Sequence, residues 1–434
     1  MIMRLLIILC TTLISTFGSA HPNTFDIEQW QTPKGTRVIF YPTRTVPMLD
    51  ITIAFAAGSA YDGKHFGLSA LTTRLLNQGN GRLNANEMAE RLADTGAQFS
   101  SDTTRTLVTL NLRTLTQPQV LDKSLELFSL ILQPNFNKQA FAREQKQQLL
   151  AIRQAQESPD EVANETFIQA LYASHPYAHA TNGDALHVNQ LKLHQVRQFY
   201  QRYFTAQNAV VVLVGDISRT HAHELANKLT QNLPKGQAAP VIPKAQNLEK
   251  AKEQHIEFVS SQTMLRLGQL GIDYHDPDYF PLLVGNHILG GNALNSRLST
   301  EIREKRGLTY GVYSQFIPMP ALGPYVIGLS TKTNQTQNAR NIMTQTLNMF
   351  VTKGPSEKEL DAAKRYLIGS FPIGLASNSG LADSLLKIVM YHLPNDYLNT
   401  YAKRINQVTT QDIQHAFQRH IDLNRLLFVS VGKS

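Results

Sequence analysis

The feature that most constrains this chain is that it ends twice. Val196-Arg-Gln-Phe-Tyr-Gln-Arg-Tyr-Phe runs into Asn208-Ala-Val-Val-Val-Leu-Val-Gly-Asp216. About two hundred residues later, Ile413-Gln-His-Ala-Phe-Gln-Arg-His-Ile runs into Asn424-Arg-Leu-Leu-Phe-Val-Ser-Val-Gly432. Each is an amphipathic helix, a short turn and a β-branched apolar strand closed by glycine. The apolar spacing is helical in the first part and continuous in the second. A repeat of that length is a duplicated domain, not a solenoid unit.

The starts of the halves correspond as well. Leu49-Asp-Ile-Thr-Ile-Ala-Phe-Ala-Ala-Gly58 and Leu265-Arg-Leu-Gly-Gln-Leu-Gly271 both read as strands. Each is followed by a polar turn and then a helix. Between the halves, Leu233-Pro-Lys-Gly-Gln-Ala-Ala-Pro-Val-Ile-Pro-Lys-Ala-Gln246 lacks periodicity and reads as a linker. The expected division is a leader over 1–20, a first domain over 21–233, a linker over 234–250 and a second domain over 251–434.

The pattern predicts strands over 37–41, 49–57 and 106–112. It predicts first-half helices over 68–78, 85–95, 118–132, 138–156, 159–172 and 191–203. Second-half helices fall over 279–289, 295–306, 335–350, 357–370, 379–391 and 410–420. Strands in antiparallel-looking pairs, mixed with helices, define an α+β class: a sheet covered by helices in each half.

The N-terminus sets the expected compartment. A basic start at Arg4, an apolar run over 5–13 and the small residues Gly18-Ser-Ala20 form a secretory signal, too short to span a membrane. Cleavage is expected after Ala20, giving a periplasmic or secreted protein. Cys10 is the single cysteine and would leave with that segment, so no disulfide or thiolate site is expected. The formal charge of +8 loses Arg4 to become +7. The basic residues are scattered and not interleaved with aromatics, which argues against a nucleic-acid partner.

Asn292-Ala-Leu-Asn-Ser-Arg-Leu-Ser-Thr-Glu-Ile-Arg-Glu-Lys-Arg-Gly-Leu-Thr-Tyr-Gly311 resembles the C-terminal-half signature of the pitrilysin and mitochondrial processing peptidase family, the inverzincins. The resemblance runs from about residue 25 to 431 and includes a His175-Pro-Tyr loop. It implies two homologous sheet-plus-helix domains of the processing-peptidase, metallohydrolase-like type. It also implies that Arg303 and Tyr310 hold a substrate peptide.

The family's zinc motif, His-x-x-Glu-His, occurs nowhere in the chain. The matching segment is Phe66-Gly-Leu-Ser-Ala-Leu-Thr-Thr-Arg-Leu-Leu-Asn-Gln-Gly79. It places Ala70 and Arg74 at the two histidine positions and Thr73 at the general-base glutamate. The segment Arg143-Glu-Gln-Lys-Gln-Gln-Leu-Leu-Ala151 puts Ala151 at the third ligand. Alanine donates no electron pair, Arg74 brings a fixed positive charge, and no base remains at Thr73. His175 and His179 read as structural, His221 and His223 as solvated surface residues, and His65 as a turn residue.

The expectation is therefore a chain without catalytic residues, metal or cofactor of its own. It would pair with a homologous, zinc-bearing peptidase subunit to enclose a peptide. A second expectation is a proteolytically silent structural or binding protein, like the family-related core subunits of respiratory complexes. A self-sufficient hydrolase ranks last, because no nucleophile–base constellation is visible.

Overall fold

The computed structural model describes residues 25–433. The leader, its cleavage point and Cys10 lie outside the described residues. The first half forms a six-stranded sheet from β1 (Glu28–Gln31), β2 (Arg37–Pro42), β3 (Met48–Phe55), β4 (Gln98–Thr103), β5 (Val108–Leu115) and β6 (Ala209–Gly215). The second half forms a five-stranded sheet from β7 (Lys252–Glu257), β8 (Gln262–Leu270), β9 (Val312–Phe316), β10 (Pro324–Lys332) and β11 (Leu427–Gly432).

The spatial orders are β1-β2-β6-β3-β5-β4 and β7-β11-β8-β10-β9. Without β1 they are the same order, so the duplication holds strand for strand. The sheets are mixed: β2 with β6 and β7 with β11 run parallel, and the remaining pairs are antiparallel.

Three helices fall where periodicity places them: Lys138–Gln156, Pro159–Tyr172 and Thr410–His420. Their starts have side-chain caps. Asn137, Ser158 and Thr409 each accept from a backbone amide in the first turn. Two segments differ from expectation. The helix predicted over 279–289 is α-helical only over Tyr279–Asn286 and then widens into a π turn, His287–Gly291. The one predicted over 295–306 is built around a second π turn, Ser299–Glu304.

Each sheet packs one face on helices of its own half. The other face is covered by a helix from the opposite half. Ile39, Ala54, Val210, Val212 and Val214 of the first sheet meet Leu381, Leu385, Leu386, Ile388 and Val389 of helix Asn378–Met390. Reciprocally, Leu427, Val429 and Val431 meet Ala163, Phe167 and Leu171 of helix Pro159–Tyr172. Burial of a large aliphatic side chain is worth about 1.5–3 kcal/mol. The helix Asn378–Met390 alone therefore contributes on the order of 10 kcal/mol to the first sheet.

An ion pair between a buried arginine and an exposed carboxylate ties the reciprocal contact. Arg266, 2% exposed, donates to Asp160 at 2.5 Å and to Asn164 at 2.8 Å. Residues 234–250 have no regular structure, yet they are strapped down. The Pro234 and Lys235 carbonyls accept from the Ala206 and Gln207 amides. Pro243 O contacts His175 Nε2 at 2.7 Å, and the Ala245 amide donates to Ala321 O.

Candidate functional site

The helix Leu68–Leu75 carries the residues aligned with the zinc motif, and its N-terminus is tightly held. Asp62 is fully buried and accepts from the Gly67 and Ser69 amides at 2.7 Å each. His179 Nε2 lies 3.3 Å from the same carboxylate, and the His179 ring stacks on Phe66 with centroids 4.2 Å apart. Burial pushes the Asp62 carboxyl above its ordinary range, opposed by His179 and the two amides. Gln148 Nε2 donates to Gly67 O and Asn182 O at 2.9 and 2.8 Å. This scaffold fixes where residues 70–74 point.

Ala70, Thr73 and Arg74 line a cleft of about 460 Å3 together with Asn77, Gln78, Asp102, Thr103 and Glu144. Ala151 is not among its lining residues; it sits two turns beyond Glu144 on helix Lys138–Gln156. The Thr73 hydroxyl donates to Ser69 O and accepts from the Thr103 hydroxyl. Arg74 has no ion-pair partner among the described residues. The donor set is an alanine methyl and a guanidinium, which give no lone pair to a cation, and one neutral hydroxyl already engaged in two hydrogen bonds. That is far short of the roughly three nitrogen or carboxylate ligands a zinc ion takes. These residues do not fit a zinc ion.

The other histidines have structural partners. His175 Nδ1 accepts from the Tyr177 amide at 3.1 Å, which makes Nε2 the donor to Pro243 O. His65 faces Gln195. His223 corrects the sequence reading: it is not simply solvated, but stacks on Trp30 at 3.9 Å and bonds Glu28 at 2.8 Å. Among the described residues, one group has metal-like spacing: Asp276, Asp278 and His420. Arg419 grips Asp278 through two hydrogen bonds, at 2.8 and 2.6 Å, and holds its carboxyl below the usual range. The arrangement is an ion-pair network.

In the second half, the glycine pair and the two π turns shape the signature segment. A Cβ on Gly290 would stand 2.5 Å from Ser314 Oγ and 2.7 Å from the Ser314 amide. Only glycine permits that approach. π turns are rare and concentrate at functional sites. Arg297 is locked by Glu359 at 2.6 and 2.7 Å and by Gly354 O at 3.0 Å. This pair holds the Glu359 carboxyl down at about 2. Sequence reading missed Arg297–Glu359, because the partner lies 62 residues away.

The short helix ends at Gly307, which takes φ +59°. Gly307 N donates to Arg303 O and Leu308 N to Ile302 O, both at 3.0 Å, a Schellman arrangement widened by one residue. Thr331 Oγ1 donates to Leu308 O at 2.6 Å and pins the exit. Arg303 is half-buried and Tyr310 is 90% exposed. Among the described residues neither side chain makes a hydrogen bond or ion pair. Arg303 does not cap its own helix and Tyr310 does not pack.

Two sheets of one topology, a cleft stripped of ligands and a glycine-hinged π-bulged segment define a two-domain metallopeptidase fold without its metal centre. The insulinase (peptidase family M16) profile matches residues 37–185, and the peptidase M16 inactive-domain profile matches 190–367. A solved Pseudomonas fluorescens structure described as a peptidase M16 inactive domain is 36% identical. The alignment covers 94% of this chain and 98% of that one, with a TM-score of 0.91. A Helicobacter pylori protein described as the non-peptidase homolog YmxG is 28% identical over 98% of each chain. A solved Helicobacter pylori structure described as a protease superposes with a TM-score of 0.87 at 19% identity, over 93% of this chain and 99% of that one; it speaks to the fold alone. The chain belongs to the M16 family, and it is an inactive-type member that lacks the catalytic motif.

Proposed function

We propose that this chain is the substrate-holding, metal-free subunit of a two-chain zinc peptidase, exported to the periplasm or beyond. Its partner would be a homologue bearing His-x-x-Glu-His, and the two would enclose a peptide. The observation that carries this is the state of Arg303 and Tyr310. A fork of guanidinium donors and a phenol stand at a helix exit without hydrogen-bond or ion-pair partners among the described residues, beside a backbone shaped by π turns. Guanidinium and phenol donors suit peptide carbonyls, including one that develops negative charge during attack. The likeness to a protein described as a non-peptidase homolog accords with the missing metal ligands.

The deciding experiment is purification of the chain alone and with a zinc-motif homologue. The chain alone is expected to carry no stoichiometric zinc and to cleave nothing; the pair is expected to hold one zinc and cleave peptides. Tight zinc and hydrolysis in the single chain would overturn the proposal. Isolation with membrane components and no zinc-motif homologue would favour the silent structural protein instead.

A further inference from the structure

The cleft over Ala70, Thr73 and Arg74 does not fit a metal cation, and its remaining groups are arranged for the opposite charge. Arg74 stands half-buried on the last turn of helix Leu68–Leu75. Its guanidinium makes no hydrogen bond or ion pair among the described residues. Two carboxylates border the cleft, Asp102 and Glu144, and neither is paired with Arg74. Glu144 is held by Arg143 at 3.2 Å. The Thr103 hydroxyl turns inward to Thr73 at 2.9 Å. Asp102, its neighbour on β4, therefore points to the strand's other face. Among the described residues that line the cleft, Arg74 is a positive charge without an anion.

A relay orients the amides beside it. Arg143 Nη2 donates to Gln78 Oε1, and Gln78 Nε2 donates to Asn77 Oδ1 at 2.9 Å. A guanidinium has no acceptor, so the direction of the chain is forced. Gln78 must accept on its oxygen, and it passes a donor on to Asn77. The Asn77 oxygen is then occupied, and its Nδ2 makes no hydrogen bond among the described residues. The Ser101 and Thr181 hydroxyls border the same cleft and are likewise unengaged among those residues. The cleft thus offers a guanidinium fork, an oriented amide N–H donor and two hydroxyls.

We propose that this cleft takes a carboxylate of a bound peptide, from its C-terminus or from an aspartate or glutamate side chain, with Arg74 as the fork that grips it. The proposal rests on the reading of the chain as a peptide-holding subunit. Charge and shape both fit. One guanidinium balances one carboxylate, and its parallel N–H groups meet both oxygens. A phosphate dianion would keep an unbalanced charge here. Exposed ion pairs are weak because water and salt screen them. A half-buried guanidinium in a cleft of about 460 Å3 is partly sheltered from that screening. Arg74 keeps the sign of charge that a zinc ion would bring but cannot generate a bound hydroxide. The cleft therefore holds an anion and does not cut.

The test is calorimetric titration of the single purified chain with two pairs of peptides. One pair is N-acetylated tetra-alanine with a free C-terminus and its C-terminal amide. The other is Ala-Ala-Glu-Ala-Ala, blocked at both ends, and its glutamine counterpart. A carboxylate peptide is expected to bind about tenfold more tightly than its neutral partner, and the pair that shows this tells terminus from side chain. Arg74→Gln should erase the preference. Arg74→Lys keeps the charge but not the fork and should retain only part of it. Asn77→Ala should reduce it severalfold, and it tests the site independently if Arg74→Gln misfolds. Equal binding within both pairs would overturn the site, as would a preference that survives Arg74→Gln. Inorganic phosphate that competes as well as the peptide would overturn the assignment to a peptide carboxylate and leave a general anion site. Failure of the two-chain reading appears separately, as absent turnover in the co-purified pair, and does not alter this single-chain titration.

Discussion

Counted from a glycine, the two halves put opposite chemistry at matching places. Gly96 and Gly307 both end a helix with positive φ, +65° and +59°, and a Cβ on either would meet nothing within 4 Å. Four residues before them stand Leu92 and Arg303; three residues after them stand Phe99 and Tyr310. Leu92 is 8% exposed and belongs to the first core, against which Phe99 packs. Arg303 is half-buried and Tyr310 is 90% exposed. Strand β4 resumes two residues after Gly96, at Gln98; β9 resumes five after Gly307, at Val312. The longer exit holds Tyr310 outside the sheet. One duplicated frame thus serves packing in one copy and presents unpaired donors in the other.

The comparison breaks most visibly by mutation at these positions. Leu92→Ala should cost about 2–4 kcal/mol in denaturant unfolding, as a core truncation. Arg303→Ala and Tyr310→Phe should stay within about 0.5 kcal/mol of the parent. In a complex with a zinc-bearing partner, the same two variants should lower turnover by about tenfold to a thousandfold, with zinc content unchanged. If they instead destabilise the chain as Leu92→Ala does, the contrast between the halves is lost.

Gly290→Ala sharpens it further. The added methyl meets the Ser314 backbone and Leu298, so a loss of about 1–3 kcal/mol is expected from overpacking. Gly96→Ala and Gly307→Ala meet no atoms and should each cost about 1 kcal/mol, from backbone conformation alone. Equal losses at all three would mean that close packing at Gly290 is not what shapes the π-bulged segment.

A smaller effect is expected from pH. Glu359 is held down to about 2 by Arg297, from an ordinary 4.5. A depressed carboxyl contributes stability that is fully present above its unfolded value and is lost as pH falls through its folded one. The parent should therefore lose stability between about pH 4.5 and 2 relative to Glu359→Gln, whose own deficit of about 1–2 kcal/mol at neutral pH should shrink across that window. Thermal melts at a series of pH values read this directly.

Much of the fold was legible because local rules agreed with the packing. Capping residues, apolar spacing and the repeated helix–strand endings located the long helices and the central strands. The edge strands β4 (Gln-Phe-Ser-Ser-Asp-Thr) and β7 (Lys-Glu-Gln-His-Ile-Glu) escaped notice. An edge strand has one open side and carries little apolar alternation. The helix Tyr397–Gln407 was missed as well. At the site, Ala70, Thr73 and Arg74 share a cleft, but its neighbours Asp102 and Glu144 and the buried Asp62–His179 support were not anticipated as part of it.

The sequence by itself determined the duplication, the secondary-structure periods and the absence of a lone-pair donor at Ala70 and of a usable one at Arg74, because these depend on residue identity and near-neighbour spacing. Only the tertiary structure decided that helices Pro159–Tyr172 and Asn378–Met390 cross to the opposite sheets, and that Tyr310 stands free while Phe99 packs. An apolar stripe records that a face is buried but not against what, and exposure depends on chain segments that meet from hundreds of residues apart.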